Sequence, residues 1–270
     1  MKYITLEKTV GETPLSCAEA YRNEHTELDG VPMAYAGRLD PMASGKLLIL
    51  LGEECKNQEN YHALDKEYEF SVLFCIESDS LDVMGRLDTA KNSTVNCTIL
   101  EGLLGGVAAG FVGEIELPYP RFSAKTVLGK PLHTWTMEGR LDEITIPTKE
   151  SEVYKLEFTK LETLDKKKVV EQALEKVNSV PPVTELRKAL GNDFRRVDVR
   201  QDWDNILNDS SLPDTYQIAH FTCMASSGTY MRTLASEIAK KLETVGLAWS
   251  IHRTKIGIFS KKNTRWEKEF

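Results

Sequence analysis

The sequence predicts an α+β fold, and three observations carry that reading. Tyr68, Phe70, Val72, Phe74 and Ile76 alternate with Glu69, Ser71, Leu73 and Cys75, the period-two pattern of a strand. Leu47-Leu48-Ile49-Leu50-Leu51 is a continuous apolar run, short enough for a buried strand. Between and beyond such runs lie helical segments, one opened by Thr13-Pro14 and one over 229–242. The chain has 270 residues, 41% hydrophobic and 28% charged, which is enough to bury a core without staples and excludes wholesale disorder.

The elements follow in order. Residues 3–6 read as a short strand, and the helix from Thr13-Pro14 runs to about 27, where Asp29-Gly30-Val31-Pro32 stops it. Residues 33–45 have no clear periodicity and contain Gly37, Asp40-Pro41 and Gly45, so a loop is expected there. The 47–51 strand, a helix over 53–64 and the 68–76 strand come next. A polar loop from Glu77 to Asp82, a helix over 94–104 and a strand over 111–117 follow. Pro118-Tyr119-Pro120 reads as a turn, 131–138 as a short helix and 152–160 as a strand. Residues 216–223 read as a strand, 229–242 as a helix, and 247–259 as one or two final strands.

The segment 163–213 has a different texture. It begins with Lys166-Lys167-Lys168, carries a helical stripe of Val170, Leu174 and Val177, and breaks at Val180-Pro181-Pro182. Its apolar content is too thin for a domain, so the expectation is one domain over 1–270 with a helical insertion. Its ends should be close in space, and it should be dispensable for chemistry but not for RNA affinity. Lys166 to Lys168, Arg187, Lys188, Arg195, Arg196 and Arg200 are its candidate phosphate donors.

With 34 basic and 41 acidic residues the net charge is −7, which argues against a protein that coats nucleic acid by bulk charge. The N-terminus lacks the apolar region of a signal peptide, and no stretch is long enough to span a bilayer. Five cysteines without a C-x-x-C fit reduced cytosolic thiols better than a disulfide framework. Five scattered histidines give no support to a metal site. A cytoplasmic protein without metal or cofactor is expected.

The most informative stretch is Gly37-Arg38-Leu39-Asp40-Pro41-Met42-Ala43-Ser44-Gly45-Lys46-Leu47. Two glycines bracket a carboxylate placed just before a buried strand, at the end of a sheet. Taken alone, Asp40-Pro41 reads as a turn whose carboxylate bonds its own backbone. The whole stretch, however, resembles the G-x-L-D-P-x-A-x-G motif of the TruB-type tRNA pseudouridine synthases. Further family motifs follow in order: Lys8-Thr9-Val10-Gly11-Glu12-Thr13, Lys66-Glu67-Tyr68, Ser78-Asp79-Ser80-Leu81-Asp82-Val83-Met84-Gly85 and Phe111-Val112-Gly113-Glu114-Ile115. Tyr119 to Ala124, Gly228-Thr229-Tyr230-Met231-Arg232-Thr233 and Arg253-Thr254-Lys255-Ile256-Gly257-Ile258-Phe259 complete the set. The resemblance covers nearly the whole chain apart from 163–213.

The resemblance implies a pseudouridine synthase fold, with a mixed, mostly antiparallel central sheet flanked by helices and the catalytic loop in an RNA-binding cleft. It implies isomerisation of a T-loop uridine, position 55 of tRNA, without a cofactor. Asp40 takes the place of the catalytic aspartate, Tyr68 that of the tyrosine over the freed base, and Arg232 that of the arginine paired with the aspartate. Ile251 stands in the pocket wall. Tyr35 stands where the family places a His, and Lys8, Arg38 and Lys66 fall on the RNA side. Lys46, Arg121, Lys125 and Lys130 are further phosphate donors, and the segment 251–270 adds net positive charge. The implied partner is the T-arm of tRNA, bound by a monomer with no obligate protein partner and no membrane. A PUA domain, common in bacterial members, is not expected after Phe259. Two alternatives remain: a synthase of the ribosomal-RNA type, since Gly-Arg-Leu-Asp also resembles that family, and a non-catalytic RNA-folding chaperone.

Overall fold

The computed structural model describes residues 1–88, 97–182 and 193–270. The described strands are β1 (Tyr3–Lys8), β2 (Met33–Ala36), β3 (Ala43–Leu51), β4 (Asp65–Phe74), β5 (Gly113–Pro118), β6 (Thr126–Val127), β7 (Lys130–Pro131), β8 (Thr148–Asp165), β9 (Thr215–Ala225), β10 (Gly246–Ser260) and β11 (Arg265–Glu269). The α-helices are α1 (Pro14–Glu24), α2 (Glu59–His62), α3 (Glu101–Ala109), α4 (Leu132–Met137), α5 (Lys166–Ser179), α6 (Arg196–Asn208) and α7 (Met231–Lys241).

One nine-stranded sheet forms the centre, in the order β1-β3-β10-β4-β9-β8-β5, with β11 on β10 and β2 on β3. All pairings are antiparallel except β3 with β10, which run parallel over Ala43–Gly45 and Ile251–Arg253. The alternation read in β4 divides its side chains between the two faces. Phe70, Val72 and Phe74 join α3 and α7 in one core, together with Leu39, Met42 and Ile251. Leu73 faces the other way, against Val169, Val170, Ala173 and Val177 of α5 and Val199, Trp203 and Ile206 of α6. Helices therefore cover both faces of the sheet.

Local chemistry sets the element ends. Thr13 caps α1: its hydroxyl accepts from the Ser16 amide, and the Ser16 hydroxyl accepts from the Thr13 amide. Pro14 sits in the first turn, where its missing N–H costs nothing. In α7, Met231, Leu234, Ala235, Ile238 and Ala239 form the buried stripe against the sheet.

The structure corrects several expectations. Within the expected loop 33–45, residues 33–36 pair with 48–51 of β3, and β3 itself starts at Ala43. The expected 53–64 helix is a 3-10 segment, Gly52–Asn57, followed by the single turn of α2. The helix expected at 94–104 runs instead over Glu101–Ala109, and the beginning of that range lies outside the described residues. Cys75 and Cys97 are joined by a disulfide, against the expectation of reduced thiols, while Cys17, Cys55 and Cys223 are free. Spacing along the chain carried no hint of that pair, because it depends on where the chain returns after β4. Among the described residues no helix is long and apolar enough to cross a membrane.

The segment 163–213 holds the helices expected of it, with β8 running on into its start. Strand β8 continues to Asp165 and pairs with Thr215 of β9, and the Lys166 amide donates to the Asp214 carbonyl at 2.7 Å. The ends are adjacent, as expected. The helices between them are no appendage, because they supply the layer that covers the second face of the sheet. Trp203 is wholly buried there, and its indole N–H donates to the Val83 carbonyl at 3.1 Å. Lys166, Arg195 and Arg196 are spent internally, whereas Lys167 and Lys168 stay mostly exposed in loose surface pairs. Lys166 is buried and donates to the carbonyls of Asp209 and Leu212, Lys167 pairs with Glu171, Lys168 with Asp165, and Arg195 with Asp79. Arg196 is buried and donates to the Val180 and Pro181 carbonyls, whereas Arg187 and Lys188 lie outside the described residues. Replacing Trp203 by Ala should cost about 3–5 kcal/mol of stability, the loss typical of a buried large side chain. Urea unfolding of the Trp203→Ala variant measures it, and a change below about 1 kcal/mol would show that this layer contributes little.

Candidate active site

The site forms where the 37–46 loop, the 78–85 loop, the 118–123 segment and the start of α7 meet. Gly37 and Gly45 both adopt left-handed backbone, at φ +89° and +103°. Gly45 has a second reason to be glycine: a Cβ there would lie 2.3 Å from the Arg253 carbonyl oxygen, where β3 and β10 run side by side. The Ala43 amide donates to the Asp40 carbonyl at 3.0 Å and the Gly11 amide to the Pro41 carbonyl at 2.8 Å, which turns the chain into β3. Leu39 and Met42 bury inward and leave the Asp40 side chain 43% exposed.

Arg232 comes from the first turn of α7 and is buried. Its Nε lies 2.8 Å from Asp40 Oδ2, approached off the line of the N–H bond. Nη1 donates to the Ser80 carbonyl at 2.8 Å and lies 3.4 Å from Asp82 Oδ2, and Nη2 donates to the Phe122 carbonyl at 3.2 Å. One guanidinium thus joins the two carboxylates and two loops. Burial alone would pull Arg232 down, but Asp40 and Asp82 together hold it above its ordinary pKa. Asp82 is buried, and its Oδ1 accepts from the Ser80 hydroxyl at 2.8 Å and the Met84 amide at 2.9 Å. Burial pushes the Asp82 carboxyl up, and Arg232 pulls it back. Only Asp40 of the two carboxylates faces solvent.

A second buried arginine, Arg253, holds the Asp40 loop from below. It donates to the carbonyls of Lys46 at 2.7 Å, Arg38 at 3.3 Å and Gly37 at 3.3 Å, and its charge lies close enough to act on Tyr68. Burial pushes the Tyr68 hydroxyl up, and Arg253 works against that shift. Tyr68 packs half-buried on the core that contains Leu39, Met42 and Ile251, and Ile251 pairs with Phe70 of β4.

Asp40, Tyr68, Arg232 and Ile251 are therefore brought together, while two other sequence candidates sit differently from expectation. Lys8 is fully buried, donates to the Thr9 and Ala43 carbonyls, and is lowered by burial to about 8. Lys66 is buried, donates to the Leu64 carbonyl, and is also lowered by burial to about 8. Both ammonium groups satisfy backbone oxygens beneath the loop instead of facing RNA. Arg38 is exposed, with its guanidinium 5.9 Å from the centre of the Tyr35 ring. Of the other phosphate donors expected, Lys46 pairs with Glu269 and Lys130 with Glu138, whereas Arg121 and Lys125 are exposed. In the 251–270 segment, Lys255 pairs with Glu67 and Lys261 with Glu152.

Three site residues went unremarked in the sequence. Asp82 and Arg253 stand in motifs that were matched, but their burial around Asp40 needed the fold to show it. Tyr230 packs against Tyr119, with ring centres 5.2 Å apart and the planes tilted by 60°, and is close enough to Asp40 to feel its charge. The motif Gly228-Thr229-Tyr230 was the available signal.

The buried lysines give a pH test. Below about pH 8 the folded protein buries a Lys66 charge that the unfolded chain solvates, so ionised Lys66 opposes folding. That handicap fades as pH rises from about 8 towards the ordinary value of 10.5, because the folded chain loses this proton first. The stability of a Lys66→Met variant relative to the parent should therefore decline across that window, by on the order of 1–3 kcal/mol. Paired urea titrations at several pH values check this, and a pH-independent difference would contradict the burial of a charge.

Comparison with known proteins fits this geometry. A model of the TruB family pseudouridylate synthase N-terminal domain matches residues 28–176, more than half of the chain and including most of α5. tRNA pseudouridine synthase B of Caldicellulosiruptor saccharolyticus is 27% identical over 259 residues, covering 96% of this chain and 68% of that protein. tRNA pseudouridine synthase 4 of Saccharomyces cerevisiae is 28% identical over 251 residues, covering 84% of this chain and 61% of that protein. Between 60% and 68% of the length of the first three such relatives is spanned by this chain. Among solved structures, a chain of a Cbf5-Nop10-Gar1 complex superposes with a TM-score of 0.52 at 17% identity, over 95% of this chain and 49% of that one. That likeness concerns the fold, a mixed sheet flanked by helices. The family match spans the Asp40 loop and the Asp82 loop together, and on it the chain belongs to the TruB family of pseudouridylate synthases.

Proposed function

We propose that the chain is a tRNA pseudouridine synthase that isomerises the T-loop uridine at position 55, with Asp40 as its catalytic residue. The observation that carries this reading is the exposed Asp40 carboxylate held 2.8 Å from buried Arg232. The names of the relatives support tRNA as the substrate.

The chemistry suits that arrangement. The C1′–N1 bond breaks, the base turns, and C5 joins C1′, while C5 gives up its proton and N1, which carried none, ends with one. Positive charge builds at C1′ during cleavage, and a fixed carboxylate on one face stabilises it or attacks it. Arg232 keeps Asp40 oriented for this, at a geometry that needs no reorganisation when charge develops. The target uridine has to leave the stack to reach Asp40. Tyr68 and Tyr230 offer ring faces near Asp40, each worth roughly 1–3 kcal/mol of stacking per base. Tyr68 is placed to take part in handling the C5 proton: burial raises its hydroxyl, and Arg253 offsets part of that rise. Exposed Arg38, Arg121 and Lys125 supply phosphate contacts, and Tyr35 beside Arg38 offers a stacking surface for the loop nucleotides. One chain acts on one tRNA.

The test is tritium release from [5-³H]uridine-labelled tRNA. The parent should release tritium from a tRNA with uridine at position 55 and none when that position is cytidine. Asp40→Asn should abolish release while tRNA binding stays within about tenfold. Appreciable turnover by the variant removes Asp40 from the chemistry. Release from ribosomal RNA alone favours the ribosomal-RNA alternative, and binding without any release favours the RNA-folding alternative.

A further inference from the structure

We infer that Arg195, on the helical segment between β8 and β9, is a positioning residue that locks the Asp82 loop against the 119–123 segment and so fixes Arg232 for Asp40. The functional part of this inference rests on the isomerase reading above.

Two guanidinium groups bridge the same pair of segments. Arg232 does so from within, through the carbonyls of Ser80 and Phe122. Arg195 does so from the rim. Its Nη1 and Nη2 donate to Asp79 Oδ2 and Oδ1 at 2.5 and 3.3 Å, and its guanidinium carbon lies 4.3 Å from the centre of the Phe122 ring. A forked pair of this kind is stronger and more directional than a lysine contact. The Arg195 side chain is only 20% exposed, so solvent screens the pair less than it would at an open surface. Arg195 also adopts left-handed backbone, at φ +62°, immediately before α6. That conformation is uncommon for a residue with a Cβ and persists where the surroundings enforce it.

The rest of the segment grips the same loop further along. Asp202 accepts from Arg86 Nε at 2.6 Å, from Arg86 Nη2 at 3.2 Å and from the Leu87 amide at 3.0 Å. Asp198 lies 3.1 Å from Arg86 Nη1, and Trp203 donates to the Val83 carbonyl. Asp79 in turn accepts from the Arg86 amide at 2.9 Å, which closes the loop on itself. These contacts hold the loop to α6, whereas Arg195, alone among the described residues of the segment between β8 and β9, also reaches across to Phe122, whose carbonyl accepts from Arg232. A phosphate could take the Arg195 fork only by displacing Asp79, so the geometry favours a clamp over an RNA contact.

The experiment uses Arg195→Ala, Arg195→Lys and Asp79→Asn in the full chain, with Gln201→Ala, at an exposed position, as a control on α6. Three quantities are read: single-turnover tritium release at saturating tRNA, tRNA affinity, and amide hydrogen exchange of the free protein over 78–86. Arg195→Ala should slow release roughly tenfold to hundredfold, as expected when reacting groups lose their alignment. Its tRNA affinity should stay within about threefold. Exchange should quicken at the Asp79, Asp82, Met84 and Arg86 amides, all of which are hydrogen-bonded within the loop. Arg195→Lys should recover only part of the rate, Asp79→Asn should mimic Arg195→Ala, and the double variant should be no worse than either single one. Gln201→Ala should match the parent. Unchanged exchange over 78–86 in Arg195→Ala overturns the clamp, as does weakened tRNA affinity with an unchanged rate. Should the parent itself release no tritium, the isomerase reading fails while the exchange measurement still decides whether Arg195 locks the loop.

Discussion

The site depends on one buried cation, Arg232, placed between an exposed carboxylate and a buried one. Its position is electrostatically costly twice over. It is desolvated, and it lies in the first turn of α7, where the helix dipole disfavours positive charge. Asp40 and Asp82 offset both costs, and the Ser80 and Phe122 carbonyls take up remaining donors. Four stretches remote in sequence therefore have to arrive at one guanidinium. The sheet order, which lays β10 between β3 and β4 and packs α7 over the same face, makes that convergence possible.

Around this pair the Asp40 loop is held through its backbone. Lys8 and Arg253 donate to carbonyls of residues 37, 38, 43 and 46, and Gly45 lets β3 lie against the Arg253 backbone. Buried cations that satisfy backbone oxygens leave the loop few ways to move without stranding a charge. On the proposed function, a carboxylate fixed in this manner is preorganised for the charge that develops during glycosidic cleavage.

Much of this was legible in the sequence, and the illegible parts share a cause. The β4 alternation and the 47–51 run mark strands because their side chains meet different environments on alternating or doubly buried faces. Asp40, Tyr68, Arg232 and Ile251 were found through ordered motifs. Strand β2 escaped because Met33-Ala34-Tyr35-Ala36 becomes a strand only through its partner, the far edge of β3. Arg253 read as one charge in a basic C-terminal stretch, and its burial follows from the lie of β10 between two neighbours. Lys8 and Lys66 read as RNA-binding residues because a lysine that serves backbone carbonyls looks the same in sequence. The stripe of Val170, Leu174 and Val177 was visible, but the surface it covers, the second face of the central sheet, was not.

The most direct measurement is single-turnover tritium release by Arg232→Lys at saturating tRNA. The substitution keeps the charge beside Asp40 and removes the planar fork that joins Asp82, Ser80 and Phe122. If that fork makes Asp40 competent, release should fall by at least about a hundredfold, the loss expected when a preorganised electrostatic contact is removed. Binding of tRNA should persist. A release rate within about threefold of the parent would show that positive charge alone suffices and would contradict the account.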